Sequence, residues 1–408
     1  EIYTLSLHDA LPIYFRLFAF LSSLTACESN DLPIQHADSY QYITFAARTQ
    51  KMTTRADDRY ESYDPVLQMH PQNMGVFGYY NFATHSFETT GTETGGKNHA
   101  IFDNIRVDYN TLTKTWSTKE EKRWDAYPDS NFDFFGYMPH STEATLSKPS
   151  ATESTYLLTI PFSMPTINGN PSPILAQKDL EKAPIICAKP EHKGSIAAGG
   201  SDATFGRVVT FLFDQTLTGY NLNFQLDRKM NAIRHFRIKG VKIYGKGLND
   251  EGLATGGYVS RSYTWSNNEW TAKAIQWSKL NKVIITEENA IQLAKDKNSE
   301  TPFTPGDNES MDIDDSKYHR WGTTFYAIAD ASFVPTIAVT YDVILKDKKG
   351  ETVTRKDVTS TIILGNKYFE TLNPAQTAAI YNINILIQPR YLYVLADQDA
   401  YTGHLLIQ

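Results

Sequence analysis

The sequence predicts an all-β protein of two β-sandwiches in tandem, and three observations support this prediction. The 408 residues include 24 Tyr and 21 Phe but only 7 Met, a composition that favours strands over helices. Most apolar segments alternate with polar residues at a period of two, which is typical of sheets with one face in solvent. A stretch rich in Pro, Gly and Ala at residues 163–204 separates two sets of such segments and indicates a domain boundary.

The beginning of the chain predicts an export signal and not a part of the fold. The apolar run at residues 17–24 follows Arg16 and leads into Leu24-Thr25-Ala26-Cys27, where small residues directly precede a cysteine. This is the pattern of a bacterial lipoprotein signal over residues 14–27, after which the Cys27 thiol carries lipid. We therefore expect Cys27 to anchor the exported chain in a membrane.

Two short segments flank this signal. Residues 1–13 (EIYTLSLHDALPI) do not form a basic leader, and we interpret them as a non-native artefact, a translated adapter sequence fused to the gene. Residues 28–40 are polar and predict a tether between the lipid and the first domain.

The first sandwich is predicted over residues 41–195. Its candidate strands alternate polar and apolar residues or carry glycines at their ends. They are Tyr42–Phe45, Gly75–Tyr80, Asn104–Tyr109, Phe132–Tyr137 and Ala183–Ala188. The last of these lies inside the boundary stretch and could belong to either domain.

The second sandwich is predicted over residues 196–408. A hairpin with a charged turn joins residues 337–345 to residues 351–364. The other candidate strands are Val208–Phe213, Tyr220–Leu226, Phe236–Ile238, Val241–Tyr244 and Tyr381–Ile387. The segment 258–315 fits no core pattern and is a candidate insertion. Short helices are predicted at Glu287–Lys295 and Pro374–Ile380.

Charge and the absence of motifs exclude several functions. A net charge of −7 argues against a nucleic-acid-binding protein, which carries a basic stripe. The sequence has no phosphate-binding loop and no nucleophile elbow, so we predict no enzyme, no catalytic residue and no cofactor. The acidic cluster at residues 307–315 lacks the glycine and the distal glutamate of a calcium loop. We interpret it as a solvated loop and predict no metal site. We also predict that the side chain of Cys187 is buried.

The order of several motifs along residues 27–408 resembles the fimbrillin family of Bacteroidales, the subunits of pili that derive from lipoproteins. No single motif is specific, and the resemblance rests on their order. After the lipoprotein signal they are Ile43-Thr44-Phe45, Thr54-Arg55-Ala56, Gly75–Tyr80, Phe134–Pro139, Val208–Phe213, the alternating Leu222, Phe224 and Leu226, and Ile380–Ile385. The family's fold, two transthyretin-like β-sandwiches with long loops, agrees with the fold class predicted above.

The resemblance implies a fimbrial subunit precursor that is exported as a lipoprotein to the cell outer membrane and is cut after an arginine near its N-terminus. The matching arginines are Arg48 and Arg55, with Arg59 a weaker third candidate, and the strand removed is Tyr42–Phe45. The terminal strand of a neighbouring subunit then fills the groove by strand addition. Each arginine could instead be an ordinary surface charge.

The donor strand implied by the resemblance is the apolar tail at residues 391–408. Its candidate residues are Tyr391, Tyr393, Leu395, Leu405 and Ile407. The partners implied are other fimbrial subunits, the outer membrane through the lipid on Cys27, and a ligand on host or bacterial surfaces. The tail could instead complete its own sandwich, since chain ends fray unless they are packed.

The alternative is a monomeric surface lipoprotein that binds glycans. It rests on three tryptophans of the unassigned segment, Trp265, Trp270 and Trp277, which a flat aromatic platform would expose to a sugar. An unpolymerised protein with these rings exposed on one sheet would favour it.

Overall fold

The computed structural model describes residues 42–50, 60–62, 65, 70–80, 100–126, 131–147, 154–167, 169–194, 208–228, 234–295, 310–331, 333–347, 350–364, 380–387, 391–393 and 404–406. Within this part of the chain, no helix is long and apolar enough to cross a membrane. Several residues named above lie outside it, namely Cys27, Arg55, Arg59, Leu395 and Ile407.

The described chain consists mainly of strands, which confirms the all-β prediction. The first fourteen are β1 Thr44–Gln50, β2 Tyr60–Ser62, β3 Asn73–Tyr80, β4 Ala100–Asn110, β5 Thr115–Thr118, β6 Phe132–Met138, β7 Thr145–Ser147, β8 Thr155–Ser163, β9 Thr166–Ile167, β10 Asn170–Pro171, β11 Leu175–Ala176, β12 Ile185–Cys187, β13 Glu191–Lys193 and β14 Val208–Gln215. They continue with β15 Leu217–Leu226, β16 Arg234–Tyr244, β17 Leu253–Ser266, β18 Glu269–Ala272, β19 Gln276–Val283, β20 Ile291–Leu293, β21 Met311–Ile313, β22 His319–Ile328, β23 Thr336–Asp347, β24 Gly350–Ile363, β25 Ile380–Ile387, β26 Tyr391–Tyr393 and β27 His404–Leu406. Short 3-10 helices occur at Trp124–Ala126, Gln177–Lys182 and Leu248–Asp250.

The N-terminal sheet runs in the order β12-β14-β1-β5-β4-β3-β6-β13, with β2 beside β1. Strand β12 pairs with both β14 and β6, so the strands from β14 to β6 form a closed ring. Phe45 on β1 and Phe134 on β6 are distant in this order, yet their rings are 6.5 Å apart. Opposite sides of the ring therefore pack face to face around an aromatic core.

A second sheet, in the order β18-β17-β8-β7 with β19 beside β17, covers one outer face of this ring. Because side chains alternate along a strand, Phe134 faces the interior while its neighbour Phe135 faces outward. The Phe135 ring lies 5.6 Å from that of Tyr263 on β17 and 5.3 Å from that of Trp270 on β18. This outer contact makes β6 an entirely buried strand.

The C-terminal sandwich consists of two sheets, β11-β22-β15-β25 and β20-β16-β23-β24, with β21 beside β16. Their facing side chains form one core, which includes Phe224, Phe236 and Trp321. The indole Nε1 of Trp321 donates across the layers to the Leu293 carbonyl at 2.8 Å. The hairpin of β23 and β24 and the alternating strand β25 confirm the sequence predictions.

One extended segment, residues 208–226, runs through both halves of the molecule. It is β14 followed by β15, with only Thr216 between them. β1 lies parallel to β14, with Thr44 opposite Val208, and β25 lies parallel to β15, with Ile380 opposite Gly219. The same segment therefore holds both the first described strand and the strand that precedes the tail.

Strand pairings cross the boundary predicted between residues 195 and 196. β14 pairs with β1, β8 pairs with β17, and β11 pairs with β22. The described strands of the segment 258–315 are also part of the sheets, because β17 is the central strand of the covering sheet and β20 and β21 pair with β16. The division into two folding units remains a prediction, and these pairings show which strands do not follow it.

The helix predicted at residues 287–295 is wrong. Its middle is β20, whose Ile291 and Leu293 are buried and whose backbone pairs with Val241–Ile243 of β16. A strand partner and two alternating apolar contacts outweigh a weak helical propensity. Of the second predicted helix, residues 374–379 lie outside the described residues, and Ile380 begins β25.

Candidate functional site

The first strand is the centre of the candidate site. β1 pairs in parallel with β14 from Thr44 to Thr49 on one side. On the other side it meets β5 at Phe45 and β2 from Arg48 to Gln50, both antiparallel. Only residues 51–59 join β1 to β2. β1 is thus an internal strand of the ring whose covalent link to the following chain is one short segment.

One face of β1 points into the core. Ile43, Phe45, Ala47 and Thr49 are buried, and the residues between them are partly or fully exposed. The side chains pointing inward therefore change along the strand from apolar to polar. We call the space that these four side chains occupy the β1 groove.

One part of the β1 groove is an aromatic chamber around Phe45. Its ring lies 5.7 Å from Phe102, 6.5 Å from Phe134 and 6.3 Å from Phe211, measured between ring centroids. The Phe211 ring stacks on Phe45 with an interplanar angle of 9°. Contacts of this kind stabilise aromatic pairs by about 0.5–1.5 kcal/mol beyond the burial of apolar area.

Two glycines make room for the chamber. A Cβ atom at Gly78 on β3 would lie 2.9 Å from the Phe134 ring and 3.0 Å from the Phe102 ring. A Cβ atom at Gly136 on β6 would lie 2.8 Å from the Phe211 ring. Both distances are too short for carbon atoms in a packed core, so the aromatic chamber requires glycine at these positions.

The other end of the β1 groove is polar. The Thr49 hydroxyl lies 3.4 Å from His70 Nε2, and Gln215 Nε2 lies 3.3 Å from the same nitrogen. His70 is only 5% exposed. Burial lowers the pKa of His70 from 6.5 to about 4. His70 is therefore neutral near pH 7, and Thr49 on β1 covers it.

The cleavage candidates have different positions. Arg48 is inside β1, where its side chain is exposed but its backbone lies between Leu212 of β14 and Ser62 of β2. A protease binds its substrate as an extended strand, so a backbone already paired on both sides is a poor substrate. Arg55 belongs to the segment 51–59 between β1 and β2, outside the described residues.

A buried polar network ties β2 and β14 to the covering sheet. Asp214 accepts a hydrogen bond from the Tyr60 hydroxyl at 2.6 Å and pairs with Arg261 of β17 at 2.6 Å. Arg261 and the Tyr263 hydroxyl both donate to the backbone carbonyl of Cys187. Burial raises the pKa of the Cys187 thiol, so this side chain is a neutral core residue, as the sequence predicts.

The described strands of the tail pair with each other and not with a strand that borders the β1 groove. β26, which contains Tyr391 and Tyr393, pairs antiparallel with β27, which contains Leu405. The two strands form a sheet of their own. The donor-strand role of these residues therefore stays a prediction.

The three tryptophans do not form an exposed platform. Trp270 is only 3% exposed and donates its indole N–H to the buried Asp133 carboxylate at 2.7 Å. The half-buried Trp265 packs against His192 with ring centroids 4.8 Å apart, and the Trp277 indole N–H donates to the Thr216 carbonyl at 3.1 Å. The expectation of three exposed rings is wrong, because these rings, which lie on β17, β18 and β19, pack the covering sheet against the core.

Acidic residues of the predicted solvated loop are engaged within the protein. Asp312 forms a two-point ion pair with Arg237 at 2.7 and 3.1 Å. Asp314 accepts hydrogen bonds from Ser316 and lies 3.2 Å from His319, and these contacts lower its pKa to about 2. Among the described residues, no group of three His, Cys, Asp or Glu side chains could hold a metal ion.

Sequence reasoning missed the residues that shape the β1 groove, namely His70, Gly78, Gly136 and Gln215. A glycine inside a strand pattern signals a close approach of other atoms, so Gly78 and Gly136 carried a readable signal. His70 and Gln215 carried none, because they meet only through the pairing of β1 with β14.

No family model and no curated protein matches this chain. Among solved structures it is similar to a fimbrial protein from Bacteroides vulgatus, with 15% identity over 85% of this chain and 95% of that chain and a TM-score of 0.47. It is also similar to a candidate cell adhesion protein from Bacteroides uniformis, with 11% identity over 86% and 94% of the two chains and a TM-score of 0.35. A candidate polysaccharide-binding protein from Bacteroides thetaiotaomicron aligns with 9% identity over 85% and 90%, with a TM-score of 0.28. These identities and TM-scores do not define what this chain does.

Proposed function

We propose that this chain is a non-enzymatic fimbrial subunit precursor that assembles by strand exchange. It is exported as a lipoprotein through Cys27, reaches the cell outer membrane, loses β1 by cleavage after an arginine, and joins a surface fimbrium that mediates adhesion. The observation that carries the proposal is β1 itself. It fills an aromatic chamber in the middle of a ring of strands, yet only one short segment ties it to the following chain.

Loss of β1 destabilises the subunit strongly unless another strand replaces it. Removing Ile43 and Phe45 from the core costs about 1.5–3 kcal/mol for each side chain. The lost ladder hydrogen bonds to β14, β5 and β2 cost about 0.5–1.5 kcal/mol each. The sum is on the order of 10 kcal/mol, which is comparable to the whole stability of a domain. A subunit without β1 therefore needs another strand in the groove to stay folded.

Arg55 is the better cleavage site of the two candidates. A cut after Arg55 frees the whole of β1, whereas a cut after Arg48 would leave Thr49 and Gln50 attached to the chain. The Arg48 backbone is also paired on both sides. We therefore assign processing to Arg55, and with it the loss of Cys27 and its lipid from the mature subunit.

The tail at residues 391–408 is the proposed donor. It directly follows β25, and β25 is held by the same extended segment that borders the groove. In a fibre, the tail of one subunit would enter the β1 groove of the next as an added strand.

Replacing residues 391–398 with a Gly/Ser sequence of equal length tests this assignment. We expect a folded monomer, with an unchanged thermal unfolding temperature, and no fibres in electron micrographs of surface-sheared material labelled with an antibody to this chain. The unaltered chain is the control and should label along filaments. Normal fibres from the altered chain would exclude residues 391–398 as the donor strand.

The alternative of a monomeric glycan-binding lipoprotein has lost the feature that motivated it, since Trp270 is buried and Trp265 and Trp277 pack on the core. Label confined to the cell body, without filaments, would revive it.

A further inference from the structure

We propose that a cleft on the outward face of the N-terminal sheet binds a neutral saccharide, whose hydroxyl groups meet Asp103, Arg106, Glu120, Thr142 and Thr145. The proposal deepens the adhesion that belongs to the proposed function, because it gives the surface ligand a site and a chemical class. It is independent of strand exchange and of the three tryptophans of the covering sheet.

The cleft lies where β7, the last described strand of the covering sheet on its side, meets β3 and β4 of the N-terminal sheet. Phe77 of β3 contributes to its lining and is opposite Phe135 in the ladder. Residues opposite each other share a face of the sheet, so the cleft is on the outward face and the β1 groove is on the inward one. Its volume of about 560 Å³ is within the range of roughly 300–1,000 Å³ that ligand pockets show.

Hydrogen bonds hold the wall of the cleft in place before any ligand binds. Asn104 of β4 has a left-handed backbone with a φ of 53°. Its side-chain amide donates to the Ser141 carbonyl at 2.8 Å, and its Oδ1 accepts from the Tyr137 hydroxyl at 2.5 Å. The His140 backbone N–H donates to Asn73 Oδ1 at 2.7 Å, and its Nε2 donates to the Asn104 carbonyl at 3.1 Å. These bonds join the loop after β6 to β3 and β4, so the site is preorganised.

The base of the cleft is apolar. Phe77, Ile105, Ala144 and Leu146 belong to its lining and are buried. Ligand sites combine such an apolar base with a few polar groups that fix the orientation of the ligand. The C–H groups of a sugar ring can pack on this base while its hydroxyl groups face the polar rim.

Charges of both signs in the rim favour a ligand without charge. Asp103 and Glu120 are exposed carboxylates, and Arg106 is an exposed guanidinium. Arg106 Nε donates to Asp108 at 2.7 Å, which leaves its other N–H groups for a ligand. The carboxylates repel an anionic saccharide, and the guanidinium opposes a cation. A neutral hydroxylated ligand can donate to the carboxylates and accept from the guanidinium.

The polar groups also reach the cleft from three sides. Asp103 and Arg106 are on β4, Glu120 follows β5, and the exposed Thr142 and Thr145 come from the loop after β6 and from β7. Threonine hydroxyls donate and accept hydrogen bonds, as the hydroxyls of a sugar do. A peptide pairs its backbone with one strand edge, whereas hydroxyls project all around a sugar ring. The arrangement therefore fits a saccharide better than an extended peptide.

The test applies the purified full chain to an array of immobilised oligosaccharides. The array carries neutral oligomers of glucose, galactose, mannose and N-acetylglucosamine, together with sialylated and sulfated counterparts. We expect retention on a neutral oligomer and none on the anionic counterparts. Equal or stronger retention on the anionic counterparts, or retention on no spot, overturns the proposal.

Two neighbouring substitutions test whether the cleft is the site. Thr142→Trp places a ring in the cleft and should weaken binding of the retained oligomer by roughly tenfold or more, with an unchanged thermal unfolding temperature. Glu143→Trp is the matched control, because Glu143 is exposed beside Thr142 but does not belong to the lining. It should change binding by no more than about threefold. Equal effects of the two substitutions would place the binding elsewhere and overturn the site.

A second pair of variants tests the class of ligand. Asp103→Asn removes the charge but keeps an acceptor oxygen, whereas Asp103→Ala removes both. For a neutral saccharide, Asp103→Ala should weaken binding more than Asp103→Asn by roughly threefold or more. Equal losses, with binding of a labelled lysine-rich peptide that Thr142→Trp abolishes, would overturn the neutral class in favour of a cationic ligand.

Fibre assembly separates this proposal from strand exchange. The Thr142→Trp chain should still form fibres, because the cleft and the β1 groove are on opposite faces of the sheet. A chain that assembles but retains no oligosaccharide overturns the cleft and leaves strand exchange intact. A chain that binds a neutral oligosaccharide in the cleft but never assembles supports the cleft and contradicts the proposed function.

Discussion

At the scale of single residues, side-chain size at a few positions determines the shape of the groove. Gly136 is on β6, a strand buried on both faces, and the Phe211 ring occupies the space where a Cβ atom would be. Gly240 is also in a strand, β16, but no atom lies within 4 Å of its would-be Cβ position. The two glycines therefore form a matched pair for testing the chamber.

We predict that Gly136→Ala destabilises the protein by about 1–3 kcal/mol, because the methyl group displaces the Phe211 ring and the Phe45 ring stacked on it. Gly240→Ala should be neutral or stabilise by about 0.5 kcal/mol, since it restricts the unfolded chain without a clash. Urea unfolding of both variants measures the difference. Equal effects would mean that the chamber does not depend on glycine.

A second test at the scale of residues uses Asp214, whose carboxylate accepts hydrogen bonds from the Tyr60 hydroxyl and the Arg261 guanidinium. We predict that Asp214→Ala costs about 3–5 kcal/mol, since it leaves the Arg261 guanidinium buried without its carboxylate. The control is Asp179→Ala, which removes the half-exposed pair with Lys182 and should cost no more than about 1 kcal/mol. Chemical denaturation gives both free energies. A small effect of Asp214→Ala on the free energy of unfolding would show that the network does not stabilise β2.

At the scale of elements, we expect the binding of β1 in its groove to depend on pH through the polar end of the groove. His70 faces Thr49 of β1 and Gln215 of β14, and Glu61 of β2 lies opposite Thr49 in the ladder. Burial alone lowers the pKa of His70 to about 4. When β1 leaves, we expect solvent to reach His70 and its pKa to return towards 6.5. The released state therefore binds a proton that the seated state does not bind between pH 6.5 and 4.

We predict that acid weakens the retention of β1. In a chain cut within residues 51–59, the affinity for β1 should be constant above about pH 7 and fall by roughly tenfold or more by pH 5, as protonation favours the released state. Dissociation of a labelled β1 peptide measures this. His70→Gln should remove the pH dependence. The same fall in the His70→Gln chain would assign it to another group.

The sequence predicts individual strands much better than their partners. Alternation is a local property, and it correctly locates β3, β6, β15 and β25. The parallel pairing of β1 with β14 joins residues about 160 positions apart. Neither segment contains a pattern that identifies the other as its partner. β17 escaped recognition because its Gly, Ser and Thr residues dilute the apolar pattern, although Val259 and Tyr263 are fully buried.

The site divides in the same way. The first strand and its flanking arginines can be identified from the order of motifs, whereas the polar end at His70 and Gln215 exists only after folding.

At the scale of the whole molecule, the segment 208–226 connects acceptor and donor. β14 borders the β1 groove and β15 holds β25, which leads into the tail. Under the proposed function, tension along a fibre enters a subunit beside β14 and leaves it beside β15. A nearly uninterrupted strand through both sandwiches suits this role because the load does not cross a flexible linker.

The central claim is that β1 is replaced, and the most direct measurement is the N-terminal sequence and intact mass of subunits from sheared fibres. The account predicts an N-terminus at Ala56, with Cys27 and β1 absent, and no fibres from an Arg55→Gln chain, while Arg48→Gln still assembles. Assembled subunits that retain residues 44–50 would contradict it.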